Sequence, residues 1–289
     1  MAEIIRFGHG TIQGEVNPVN GQLVSLIFNG IEYFHDGGKS SFNGLGWGNS
    51  EIVPYPIFGP ADNQEVKVDY KTFSLEQHGI SRHTNENPFV PQVQEKSNIL
   101  TLVQKYSGQD ISNPKYESGN GRPEHLNWLP YTLEKTFELT DKGLICKLTV
   151  TNNSEINMPY MIGWHPAFKV QGTVEEGEFV DDRGIKIATL ADVIKYSNIP
   201  PQEALTKERM NSITYRNKNT GQGVRVSSEN FSNNVMLWSP SYDAGMLCIE
   251  HTSRLPIFNG EKHFADLDRF ESLAPGQSRT YSILVQPLK

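Results

Sequence analysis

Cysteine is scarce in this 289-residue chain: only Cys146 and Cys248 occur, and no CxxC pair. That leaves neither a disulfide framework nor a thiolate zinc site to expect, and both residues, set in apolar strand patterns, read as buried reduced thiols. Long hydrophobic runs are also lacking, since nothing approaches the roughly 18 apolar residues of a membrane-spanning helix. No basic block occurs, and 26 Lys+Arg against 33 Asp+Glu leave a formal net charge of -7. Neither nucleic acid nor an anionic membrane is therefore an expected partner. The opening MAEIIRFGHG has no basic stretch followed by an apolar one, so the expected location is cytoplasmic.

Several chemical motifs are missing as well. There is no GxxxxGK[ST] phosphate loop, and Gly44-Leu45-Gly46-Trp47-Gly48 lacks the strand-loop-helix setting of a dinucleotide site, so its glycines read as turn formers. His78 and His83 have no third ligand at metal-site spacing. No linker, low-complexity tract or repeat divides the chain, and residues 1–289 are expected to form a single domain. The polar stretch from Gly108 to Asn127 reads as a surface excursion.

What is present is strand punctuation. Tyr131, Leu133, Phe137 and Leu139 alternate with polar residues, Asp141-Lys142-Gly143 supplies a turn, and Leu144, Cys146, Leu148 and Val150 resume the two-residue period. This predicts a β-hairpin. Asn29-Gly30 predicts a second, because both residues accept the positive φ of a type I′ turn. Further strands are expected at 65–73, 99–106, 158–164, 222–227, 234–238, 246–250 and 279–285, with short helical possibilities at 191–195 and 204–210. The fold class expected is all-β, a large antiparallel β-sandwich with few short helices.

Without a phosphate loop, a metal cluster or a nucleophile elbow, acid/base groups are the candidates for chemistry. Three segments supply them. In Gln77-His78-Gly79-Ile80-Ser81-Arg82, glycine lets backbone and ligand approach closely beside a histidine. Gly163-Trp164-His165-Pro166 ends an apolar strand in His165, with Pro166 removing the next backbone donor. In Met246-Leu247-Cys248-Ile249-Glu250, Glu250 shares a face with Cys248 and Met246. A carboxylate there is either a tunable base or a rim partner of Arg254, worth about 0–1 kcal/mol. Trp47, Trp128, Trp164 and Trp238 either stack on a sugar or fill the core.

Taken in order, QHGISR (77–82), GWHPAF (163–168), VMLWSP (235–240), LCIE (247–250) and LAPGQSRTYSILV (273–285) resemble the aldose 1-epimerase, or galactose mutarotase-like, superfamily. The similarity spans nearly the whole chain, with the LacX-like and hexose-6-phosphate epimerase-like branches nearest. The resemblance implies a mutarotase-like sandwich with a sugar cleft on one sheet, Glu250 as general base, His165 as general acid and His78 as a second histidine polarising the sugar. It implies Arg82, Asn211 and Trp238 as substrate contacts, no metal or other cofactor, and a small-molecule sugar or sugar phosphate as ligand. The implied activity is interconversion of the α and β anomers of an aldohexose. A hexose-6-phosphate epimerase and a non-catalytic carbohydrate-binding protein are the alternatives. Three departures from the family pattern stand out: His251-Thr252 follows Glu250 where proline is usual, Pro60 replaces an arginine, and the neutral Asn211 stands at an aspartate position.

Overall fold

The computed structural model describes residues 3–35, 50–59, 64–94, 96–198, 205–208, 210–232, 234–256 and 270–289. Its largest element is a nine-stranded antiparallel sheet in the spatial order Lys186–Thr189, Gly177–Val180, Ser212–Asn217, Gly223–Glu229, Ser278–Leu288, Gly143–Asn152, Tyr131–Thr140, Ile99–Tyr106 and Val90–Pro91. A five-stranded antiparallel sheet runs Leu205–Lys207, Asn234–Trp238, Met246–Thr252, Gly163–Lys169 and Glu51–Ile52. A four-stranded meander, Ile5–His9, Ile12–Asn17, Gln22–Phe28 and Ile31–Glu32, completes the main layers.

The two-residue period explains the packing. On the nine-stranded sheet, Leu133, Phe137, Leu144, Cys146 and Ile283 are buried on one face, while the other carries hydroxyl pairs such as Thr149 with Thr280. The buried face joins one hydrophobic cluster with Trp164, Phe168, Leu237, Leu247 and Ile249 from the five-stranded sheet. This is the sandwich expected from the alternation.

Both predicted hairpins form. Thr140 pairs with Gly143 across the two-residue Asp141-Lys142 turn, and Asn29 and Gly30 adopt φ of 51° and 81° between the paired Phe28 and Ile31. Two boundaries differ from expectation. The stretch 65–73 is a hairpin, Gln64–Val68 with Lys71–Leu75, because Asp69 takes a left-handed φ of 53°. The stretch 158–164 splits into Met158–Tyr160 and Gly163–Lys169, so His165 lies inside a strand and not at its end. Gly163 and Ala167 donate their amides to the Glu51 side, so the donor that Pro166 lacks faces Met246–Thr252, and the ladder to that strand skips His165 and Pro166 before resuming at Ala167.

Of the two helical possibilities, the first becomes the helix Leu190–Ser197, whose start is fixed by a capping box between Thr189 and Asp192. The second contains instead the strand Leu205–Lys207, which pairs with Val235–Leu237. Edge pairing outweighs a weak local helical pattern there.

An ion pair spans the two sheets. Lys135 occupies an apolar-face position, and its Nζ donates to Glu51 Oε1 at 3.0 Å and Oε2 at 2.8 Å. The Trp164 indole N–H and the Leu23 amide donate to the same carboxylate at 3.0 and 3.1 Å. Among the described residues, no helix is long and apolar enough to cross a membrane.

Candidate active site

The second face of the five-stranded sheet carries the acid/base residues. On Met246–Thr252, the residues Met246, Cys248 and Glu250 alternate with Leu247, Ile249 and His251, so the first set points away from the shared core. The flanking register pairs Trp164 with His251 and Ala167 with Cys248 set His165 opposite Glu250. Its Nε2 lies 3.6 Å from Glu250 Oε1. Neighbouring strands thus deliver the two groups by register alone. Trp238, half-buried, stands opposite Cys248, and its ring lies 6.2 Å from that of His165.

His78 arrives from a loop after the Lys71–Leu75 strand. Its backbone is left-handed, φ 63°, and is clamped on both sides: its amide donates to Gly59 O at 3.0 Å and its carbonyl accepts from Tyr55 N at 3.2 Å. Gly79 follows because a Cβ there would come within 2.2 Å of the Tyr55 carbonyl oxygen. The Gly59 amide also donates to His78 Nδ1 at 3.2 Å. With Nδ1 accepting, the proton of the neutral ring sits on Nε2. The His78 and His165 rings are 5.5 Å apart and nearly perpendicular.

Burial sets the charges. It raises the Glu250 carboxyl well above its ordinary range and lowers His165 to about 3, with the Arg82 guanidinium contributing to the latter. It also holds His78 well below the usual histidine value, aided by His165, Arg82 and Lys115. A neutral imidazole beside a neutral carboxyl is therefore the state that desolvation favours in the free protein. That state and the ionic one differ only in which group holds a single shared proton.

Arg82 belongs to a second cluster just beyond. Its Nε lies 3.8 Å from Glu76 Oε1, His83 Nε2 lies 2.7 Å from the same oxygen, and Lys115 Nζ is 3.5 Å from Oε2. Burial pushes Glu76 up, but the hydrogen bond from His83 and the charges of His83, Arg82 and Lys115 bring it below the ordinary carboxylate range. Lys115 comes from the stretch read as a surface excursion, which folds back through the paired Ile111–Ser112 and His125–Leu126.

Of the residues expected at the site, His78, His165, Glu250 and Trp238 come together, with Arg82 adjoining them. Asn211 is exposed; its carbonyl accepts from Ser228 N, and no contact among the described residues joins its side chain to the cluster. The rim pairing of Glu250 with Arg254 does not form, because Arg254 Nε lies 3.1 Å from Glu271. Trp128 and Trp164 are buried in the core. Trp47, the 44–48 glycines and Pro60 fall outside the described residues.

The histidine after Glu250 points to the opposite face, where its Nδ1 lies 2.8 Å from Ser228 Oγ of the nine-stranded sheet. The strand runs on to Thr252, which shares the face of Glu250 but donates its hydroxyl to the Arg254 carbonyl at 2.7 Å. Three participants were missed in the sequence. Glu76 and Lys115 are joined only by the loop's return path, and Cys248 was read as an inert thiol. Its Sγ, a nitrogen of His165 and an oxygen of Glu250 all lie within 4.8 Å of one another.

No family model matches the chain. It is 24% identical over 277 residues to the chromosomal LacX protein of Lactococcus lactis subsp. lactis, covering 83% of this chain and 84% of that one. A galactose mutarotase-like protein from Lactobacillus casei superposes with a TM-score of 0.74 at 17% identity over 99% of this chain and 100% of that one. A galactose mutarotase related enzyme from Lactobacillus acidophilus gives 0.73 at 18% identity with the same coverage. The fold resemblance read from the motifs is thus confirmed: the chain has the galactose mutarotase-like fold.

Proposed function

From a chain with this fold, we propose an aldose 1-epimerase that interconverts the α and β anomers of an aldohexose. The observation carrying the reading is the 3.6 Å approach of His165 Nε2 to Glu250 Oε1. The two oxygens that exchange protons in anomer interconversion, the C1 hydroxyl and the ring oxygen, are bonded to one carbon. Two side-chain atoms this close therefore serve both. Glu250 as carboxylate removes the C1 hydroxyl proton while imidazolium His165 protonates the ring oxygen. The C1–ring oxygen bond breaks and a C1 carbonyl forms.

Rotation about C1–C2 exposes the other carbonyl face, and the ring closes as Glu250 returns its proton and His165 recovers its own. The reacting ionic pair requires the shared proton to pass from Glu250 to His165 when sugar binds, and ring opening returns the site to the neutral pair that burial favours in the free protein. His78 Nε2–H donates to a sugar oxygen, and Trp238 offers a flat apolar face to the ring. NMR exchange spectroscopy on pure glucose and galactose anomers tests this. Exchange faster than buffer is expected, and buffer rates with every aldohexose tried would overturn it.

A second reading, a hexose-6-phosphate as substrate, has its own support. Arg82 and Lys115 place two cations against the single carboxylate Glu76, and Lys115 keeps about a third of its side chain exposed (34%). A phosphate would find charge-assisted donors there. Faster exchange of glucose 6-phosphate than of glucose supports this reading, and no preference rejects it. Sugar binding by calorimetry without exchange would instead identify a carbohydrate-binding protein.

A further inference from the structure

We propose that His165, Cys248 and Glu250 form a zinc-binding site. The three ligand atoms lie within 4.8 Å of one another, and all three residues are buried. Cys248 and Glu250 are two residues apart on one strand and share a face, while His165 faces Glu250 from the next strand. The sheet therefore fixes the three Cα positions before any metal arrives. A tetrahedral zinc ion with bonds of roughly 2.0–2.3 Å needs its ligands ~3.3–3.8 Å apart. The His165–Glu250 separation of 3.6 Å already falls there, and the thiol has only to draw in by roughly 1 Å through rotation about its side chain.

Thiolate, imidazole and carboxylate together suit zinc better than magnesium or calcium, which prefer all-oxygen shells. Charge also balances. On binding, the thiol proton and any carboxyl proton leave to solvent, so one thiolate and one carboxylate neutralise the dication. Arg82, the cation acting on His165, is itself opposed by Glu76. Three protein ligands leave one position open to water. Occupancy of the site does not depend on the proposed sugar chemistry. One consequence does rest on that reading: zinc takes the lone pairs of His165 and Glu250 that would move protons, so it inhibits anomer exchange.

The experiment uses the whole chain stripped with EDTA and titrated with Zn²⁺, then with Co²⁺ as a spectroscopic substitute. One equivalent of zinc is expected, and the cobalt adduct should show a thiolate-to-metal charge-transfer band. Cys248→Ser should abolish the band and weaken zinc binding by roughly 100-fold or more, as a lost ligand exceeds the roughly 10–100-fold of a lost supporting contact. Cys146→Ser, which alters the thiol on the other sheet, should keep the band. Should Cys248→Ser fail to fold, Glu250→Gln gives the second reading: the band persists while zinc binds more weakly.

Absence of stoichiometric zinc, or a cobalt band that survives Cys248→Ser, overturns the site. Zinc that binds with the expected spectrum but leaves anomer exchange at full rate overturns only the inhibition. A protein without any anomer exchange would sink the proposed function, and the cobalt spectrum would still decide the metal site.

Discussion

Glu51 and Glu250 are carboxylates of one five-stranded sheet, 0% and 2% exposed, and their surroundings are opposite. Glu51 faces the sandwich interior and receives both Lys135 contacts, an indole N–H and a backbone amide. Glu250 faces the other way and meets a histidine at 3.6 Å with no lysine or arginine paired to it among the described residues. The first arrangement satisfies a charge and locks two sheets together. The second keeps a proton negotiable. The same residue type becomes a rivet or, on the proposed function, a base according to which side of one sheet it leaves.

The largest expected effect falls on Glu250. Replacing it with glutamine, which cannot accept the proton, should slow anomer exchange by roughly 10²–10⁴-fold in NMR exchange while the fold survives. Unchanged turnover would give the base to another group. The pH sign follows from the raised carboxyl. A group whose folded pKa lies above its unfolded one favours the folded state fully below the unfolded value, about 4.3, and loses that contribution as pH rises through the folded value. Glu250→Gln should therefore gain thermal stability over the wild type at pH 7 and not at pH 4. A gain of equal size at both would break the contrast with Glu51.

Lys135→Met should do the reverse, lowering stability in urea unfolding by about 3–5 kcal/mol because a buried carboxylate loses its counter-charge. Adding Glu51→Gln should restore most of that loss, its one amide oxygen accepting from either Trp164 or Leu23, which donate to different oxygens of the carboxylate. A single variant that costs under about 1 kcal/mol would show that the pair is not a rivet.

Glu76 lies between these extremes. Its depressed pKa gives stability that is present above the unfolded value, about 4.3, and is lost as pH falls through the lower folded one. Glu76→Gln should flatten the acid limb of a pH–stability curve, and a curve of unchanged steepness would reject the cluster as a titrating unit. The smallest effect is expected from Arg254→Ala. Its partner is Glu271, so stability should change by about 0–1 kcal/mol and anomer exchange should not change. A drop in exchange would tie Arg254 to Glu250 after all.

The sequence disclosed most where a local rule sufficed. The Asn29-Gly30 and Asp141-Lys142 turns were legible because φ and strand period are properties of a few neighbouring residues. His165 and Glu250 stood out as polar groups in apolar rows, and the family motifs gave their proposed roles. Their opposition across two strands, 85 positions apart in the chain, was not legible, because register is set by the whole sheet. Lys135 was hidden by its own alternation: parity puts it on the apolar face, but its partner comes from a two-residue edge strand with little strand pattern. Lys115 sits in a polar stretch whose return to Glu76 depends on a four-residue pairing, too short to announce itself.

The bond between His251 and Ser228 has a bearing on assembly. Slipping the Met246–Thr252 strand by a single position would turn its imidazole outward to where Glu250 now stands and drive the acid into the oily interior. One serine hydroxyl, reaching across from the facing layer, finds its partner only in the native threading and so adds a local check to what the whole sheet already fixes.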